Sequence, residues 1–209
     1  MRTSHLLLLM AFWSPSLAAQ EVDRGVFSIQ RGETPLGREE FSVQPTAGSQ
    51  GSTLASLARY PGAGPKVQIQ AMLERNPAGA VVALQLDTRA PGGVTRVYGA
   101  ALKDNLTIRQ TTPSAESSRE YPRATGIVIL DDSLFAFYQV VAERATKAGA
   151  RLPVLFARSG RRGQLTATLS TPTSIEMTGV VSGTLTVDGA GRLQRVVLAD
   201  GVSAIRQSR

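Results

Sequence analysis

Asp131-Asp132 and Glu39-Glu40 are adjacent carboxylate pairs, the raw material for acid–base work or for holding a hard cation. Arg158, Arg161 and Arg162 crowd the Gly-containing stretch ARSGRRG, where guanidinium forks could grip a phosphate or carboxylate. Other reactive groups are scarce. The chain has no Cys, one His (His5) and one Trp (Trp13). Both His5 and Trp13 lie in the opening MRTSHLLLLMAFWSPSLAAQ, with Arg2 ahead of an apolar run and small residues at Ser16-Leu17-Ala18-Ala19. That is the anatomy of a secretory signal peptide, expected to occupy residues 1–19 and to be removed on export. A mature chain starting near Gln20 would then carry no His, Cys or Trp. A Ser-His-Asp triad, a Cys nucleophile and His- or Cys-ligated zinc are excluded from such a chain. The reading therefore leans away from an enzyme, and no cofactor or metal is expected.

The carboxylates fit structural roles better than catalytic ones. Glu39 and Glu40 are neighbours on a strand and must point to opposite faces, so they cannot act as a close pair. Asp131 or Asp132 precedes a helical pattern and suits an N-cap. Asp188-Gly189-Ala190-Gly191 lacks the run of oxygen ligands of a calcium loop and reads as a hairpin turn.

Most of the chain alternates with period two, broken by Gly, Pro, Asn and Asp. GVFSIQRGETPLGREEFSVQ reads as a hairpin with Phe27 and Ile29 on one strand face and Phe41 and Val43 on the other strand's matching face. AVVALQLDTR places Val82, Leu84 and Leu86 toward the core. SAESSREY, between Pro113 and Pro122, reads as a polar surface loop. One segment breaks the pattern: ILDDSLFAFYQVVAERATKAG, Ile129 to Gly149, reads as a single helix. Leu134, Phe137, Tyr138, Val141 and Ala145 recur at i, i+3, i+4 spacing, and Phe135 and Ala142 widen the stripe. A helix apolar on two faces must be enclosed rather than laid on a surface.

The expected fold is mainly β. It is a strongly curved antiparallel sheet, or incompletely closed β-barrel, of about ten to twelve strands wrapped around one central α-helix. Residues 20–209 are expected to form a single β-rich domain. The hairpin FSIQRGETPLGREEFSV, ILDDSLFAFY and VDGAGRLQRV resemble corresponding segments of secreted bacterial proteins of unknown function. No activity comes with that resemblance. Strand number and enclosed helix are also similar to the unclosed barrel of the lipoprotein carriers LolA and LolB, which implies acyl-chain binding in a covered cavity.

The formal charge is +7, carried almost wholly by Arg, with Lys only at 66, 103 and 147. Such a surface suits anionic partners. The expected role is an exported protein of the bacterial periplasm or exterior, binding a hydrophobic or amphiphilic ligand, a lipid being one candidate. Phe27, Ile29, Phe41, Val43, Leu84, Leu86, Leu134, Phe137, Tyr138 and Val141 would line the cavity, and Arg158, Arg161 and Arg162 would attract an anionic headgroup. Peripheral contact with an anionic membrane is compatible with this charge; nucleic acid is not an expected partner. The alternative is a non-catalytic interaction or assembly module with a filled core.

Overall fold

The computed structural model describes residues 23–46, 48–61, 66–122 and 124–208; residues 1–19, expected to be a signal peptide, lie outside them. Strands are β1 (Asp23–Arg31), β2 (Thr34–Pro45), β3 (Ser52–Tyr60), β4 (Val67–Arg75), β5 (Val81–Ala90), β6 (Gly93–Leu102), β7 (Asn105–Thr111) and β8 (Glu116–Pro122). After β9 (Val128–Leu130) comes the helical segment: a 3-10 turn, Ala136–Tyr138, continuing as α1 (Gln139–Arg144). The chain then forms β10 (Ala150–Phe156), β11 (Arg162–Thr171), β12 (Ser174–Gly179), β13 (Gly183–Val187), β14 (Leu193–Leu198) and β15 (Val202–Arg206).

All fifteen strands belong to one sheet, in the order β8-β7-β6-β5-β4-β3-β2-β1-β15-β14-β13-β12-β11-β10-β9. The count exceeds the expected ten to twelve by at least three, and one of the added strands is the polar SAESSREY segment, which is β8 rather than a loop. An exposed edge strand buries only Tyr121, so it lacks an apolar alternation to announce it. Two antiparallel meanders meet at the centre, where β1 pairs with β15. The parallel β9–β10 pair is the exception to antiparallel order. The sheet is curved and does not close by hydrogen bonds. Its two ends still approach one another. The Arg162 guanidinium lies 5.5 Å from the centre of the Tyr121 ring on β8.

The helical segment lies inside this wrap. Leu134, Phe137 and Val141 are wholly buried and belong to one continuous apolar cluster with both meanders. The helix is much shorter than the sequence pattern suggested, for two reasons. Ile129 and Leu130 are spent on β9, opposite Leu155 and Phe156 of β10. Beyond Arg144 the backbone turns extended at Ala145. Arg144 itself is tied to the carbonyls of Gly126 and Gly79, at 3.2 and 2.6 Å.

The period-two reading failed locally at β5. Pairing with β4 shifts register beside Arg75, so that Arg75 faces Val81 while Glu74 faces Ala83. The irregularity puts Val81 in the core and leaves Val82 exposed. Val82 is thus corrected from a core residue to a surface one.

Candidate functional site

The strand on which Glu39 sits decides how the helix begins. Glu39 and Glu40 do point to opposite faces: Glu39 is fully buried and Glu40 is exposed. The inward Glu39 carboxylate accepts hydrogen bonds from the Ser56 hydroxyl (2.5 Å) and the Phe135 N–H (2.7 Å). It also accepts from the Ala136 N–H at 3.2 and 3.3 Å. The cap therefore comes from β2, not from Asp131 or Asp132. Burial is the main force on Glu39, pushing its carboxyl from 4.5 up to about 7; the three hydrogen bonds pull it back, and nearby Asp131 adds to the rise.

Asp131 has a different task. Its carboxylate accepts the Ser133 N–H at 2.9 Å, closing a local turn, and takes both nitrogens of an Arg158 fork at 2.6 Å. Arg158 also reaches the Ser133 hydroxyl, and the Tyr60 hydroxyl donates to the Ser133 carbonyl at 2.6 Å. Burial, together with the negative charge of Glu39 and Asp131, raises the Tyr60 phenol further. This end of the wrap is a connected polar network in which charges have partners. Its arrangement positions the start of the helix.

The Arg triplet divides. Arg158 is paired with Asp131, and Arg161 with Asp132 at 2.6 Å. Arg161 also donates to the Val180 carbonyl and lies 3.7 Å over the Phe156 ring. Arg162 faces Tyr121.

The ten apolar candidates come together. Phe27, Ile29, Phe41, Leu84, Leu86, Leu134, Phe137, Tyr138 and Val141 lie within the core, and Val43 packs against it. Phe27 stacks on Phe41 with ring centres 4.8 Å apart. Tyr138 stacks on Phe135 at 6.2 Å. Its hydroxyl is buried with no hydrogen-bond partner among the described residues, and burial raises its phenol.

At the opposite end, where the helix finishes, a cleft of about 420 Å³ opens between helix and sheet. Val43, Ala142, Ala145, Leu169, Ile175 and Val187 give it an apolar wall. Gln139 sets its edge. The Gln139 amide donates to Glu143 and to the Gly191 carbonyl, both at 3.2 Å, and its oxygen accepts the Leu193 N–H at 2.8 Å. Glu143 in turn holds the buried Arg75. The hairpin joining β13 to β14 is pinned by Asp188, which accepts from the Ala190 and Arg192 N–H groups. Sequence reading found Val43 but not the cleft, because Leu169, Ile175 and Val187 become its wall only through long-range pairing.

No known family matches the chain, and neither does any curated protein. Two solved structures match over most of their length. One is a β-barrel-like protein of the domain of unknown function DUF1849 from Brucella abortus, with TM-score 0.56 and 9% identity over 88% of this chain and 95% of that one. The other is a DUF1089 family protein from Pseudomonas aeruginosa, with TM-score 0.53 and 16% identity over 91% of this chain and 95% of that one. The fold is β-barrel-like. At these identities the likeness shows the fold alone. It agrees with the class of β-rich bacterial proteins of unknown function to which the hairpin motifs pointed. Among the described residues no helix is long and apolar enough to cross a membrane, and no three His, Cys, Asp or Glu side chains cluster as metal ligands would.

Proposed function

We propose that this protein is an exported bacterial envelope protein that binds an amphiphilic ligand between its helix and its wrapped sheet. The observation carrying this reading is the cleft at the helix finish. Its apolar wall is made by both helix and sheet, and its volume of about 420 Å³ falls in the range typical of small-molecule sites, about 300–1,000 Å³. The charged groups at its edge support a ligand that inserts its apolar part and leaves its polar part outside. Asp23 is paired with Arg206, and Glu143 with Arg75, so neither carboxylate needs a cation from the ligand. The resemblance to the lipoprotein carriers read from the sequence, and the signal-peptide-like composition of residues 1–19, favour a lipid as ligand and the periplasm as address.

The test is native mass spectrometry of the mature protein, followed by solvent extraction. A stoichiometric lipid in the wild type that is missing from Ala142→Trp, with the fold retained by circular dichroism, supports the proposal. A clean protein mass that stays unchanged after incubation with envelope lipids sinks it, and would favour the filled-core interaction module instead.

A further inference from the structure

A second hollow lies at the other end of the wrap, where β3 and β5 finish and β4 begins. It is an open hollow of about 680 Å³, with Tyr60, Pro61, Val67 and Pro91 among its lining. Arg59, Lys66 and Arg89 also line it, and no carboxylate does. Register explains how the cations meet. Arg59 of β3 stands opposite Gln68 of β4, and Gln68 stands opposite Arg89 of β5. The two arginines thus lie on one row, separated by a single strand, with backbones about 10 Å apart at the usual strand spacing. Lys66 enters from the residue just before β4.

Like charges directly opposite one another would repel; here the Gln68 strand stands between the two arginines. Arg59 pairs with Glu40 at 3.1 Å. Lys66 and Arg89 have no ion-pair partner among the described residues. This contrasts with the Arg158–Arg161 region a short way along the same end, where Asp131 and Asp132 neutralise both guanidinium groups. Tyr60 links the hollow to the helix start, since its ring lines the wall and its hydroxyl holds the Ser133 carbonyl.

We propose that this hollow is an anion site for a phosphate monoester or carboxylate carried on an apolar body. Lys66 and Arg89 hold the charged group, Arg59 adds a third donor, and Pro61 and Pro91 at the strand ends flank the apolar part. The site is separate from the cleft at the helix finish and does not depend on it.

Octyl phosphate is the probe, with binding followed by calorimetry on the mature chain. The Ala142→Trp variant is titrated in parallel, so that any uptake by the cleft is recognised. The expected result is saturable one-to-one binding that persists in Ala142→Trp and is at least tenfold tighter than binding of inorganic phosphate. The double variant Lys66→Ser/Arg89→Ser should weaken it tenfold or more, with an unchanged circular dichroism spectrum. Arg109→Ser, an outer-face arginine paired with Glu116 elsewhere, should leave it intact. Equal affinity for inorganic phosphate would overturn the proposal, because charge alone would then account for binding. So would undiminished binding in the double variant. Binding only to phosphatidylglycerol vesicles, with none to monomeric octyl phosphate, would also overturn it and assign the cations to a membrane surface.

Discussion

Phe135 and Glu39 are 96 positions apart in the chain, yet the Phe135 N–H is capped by the Glu39 carboxylate at 2.7 Å. The start of the helix is fixed by a strand from the other meander. Local residues that looked suited to capping are employed elsewhere. One buried carboxylate thus ties the start of the helical segment to the sheet.

Protonation of Glu39 should show in the pH dependence of stability. Its carboxyl rises from 4.5 to about 7 on folding, so the folded chain holds the proton more tightly than the unfolded chain. The associated stabilisation is full below pH 4.5, declines as pH rises, and is lost above about 7. The window corresponds to about 3 kcal/mol. Asp131 is the charged group that adds to the Glu39 shift; the neutral Tyr60 phenol lies nearby, and Arg158 is paired with Asp131. Urea unfolding at pH 5 and pH 8 should show the wild type losing stability at the higher pH. Glu39→Gln should flatten most of that difference; an undiminished slope would remove Glu39 as its source.

Arg158 and Arg161 look alike in sequence but should behave differently. Arg158→Ala strands Asp131, a carboxylate only 2% exposed, and should cost about 3–5 kcal/mol. Arg161 and Asp132 are 44% and 58% exposed, and Arg161 also covers the Phe156 ring, so Arg161→Ala should cost about 1–2 kcal/mol. Denaturant midpoints of the two variants settle the comparison, and equal losses would contradict the assigned roles.

The architecture was legible where one face is buried and the pleat is regular. Phe27, Ile29, Phe41 and Leu86 announce their faces by alternation, and each is in the core. The helix announced its need for enclosure through Leu134, Phe137 and Val141. What alternation could not convey was anything set by pairing: the edge strand β8, the buried role of Glu39, and the walls of the cleft. A carboxylate in a strand reads as solvated unless one knows which N–H groups will stand opposite it.

Val81 and Val82 test the local failure of that alternation. The register shift at Arg75 makes Val81 a core residue at 5% exposure and Val82 a surface one at 42%. Val81→Asp should therefore lower the unfolding midpoint strongly, because it buries a charge. Val82→Asp should stay within about 0.5 kcal/mol of the wild type, as surface changes usually do. The reverse order would mean that β5 pairs without the shift.

Tyr138 offers the last contrast, between a side chain's apolar body and its polar tip. The ring is 1% exposed and stacks on Phe135, so it contributes burial and aromatic contact. Its hydroxyl is buried without a partner, and a hydroxyl moved out of water with no hydrogen bond to replace the lost ones costs about 1–3 kcal/mol. Tyr138→Phe keeps the ring and removes the hydroxyl, and should raise the unfolding free energy by about 1 kcal/mol or more. Tyr138→Ala, which also removes the ring, should lower it by about 3–5 kcal/mol. If Tyr138→Phe instead destabilises the fold, the hydroxyl has a partner in solution.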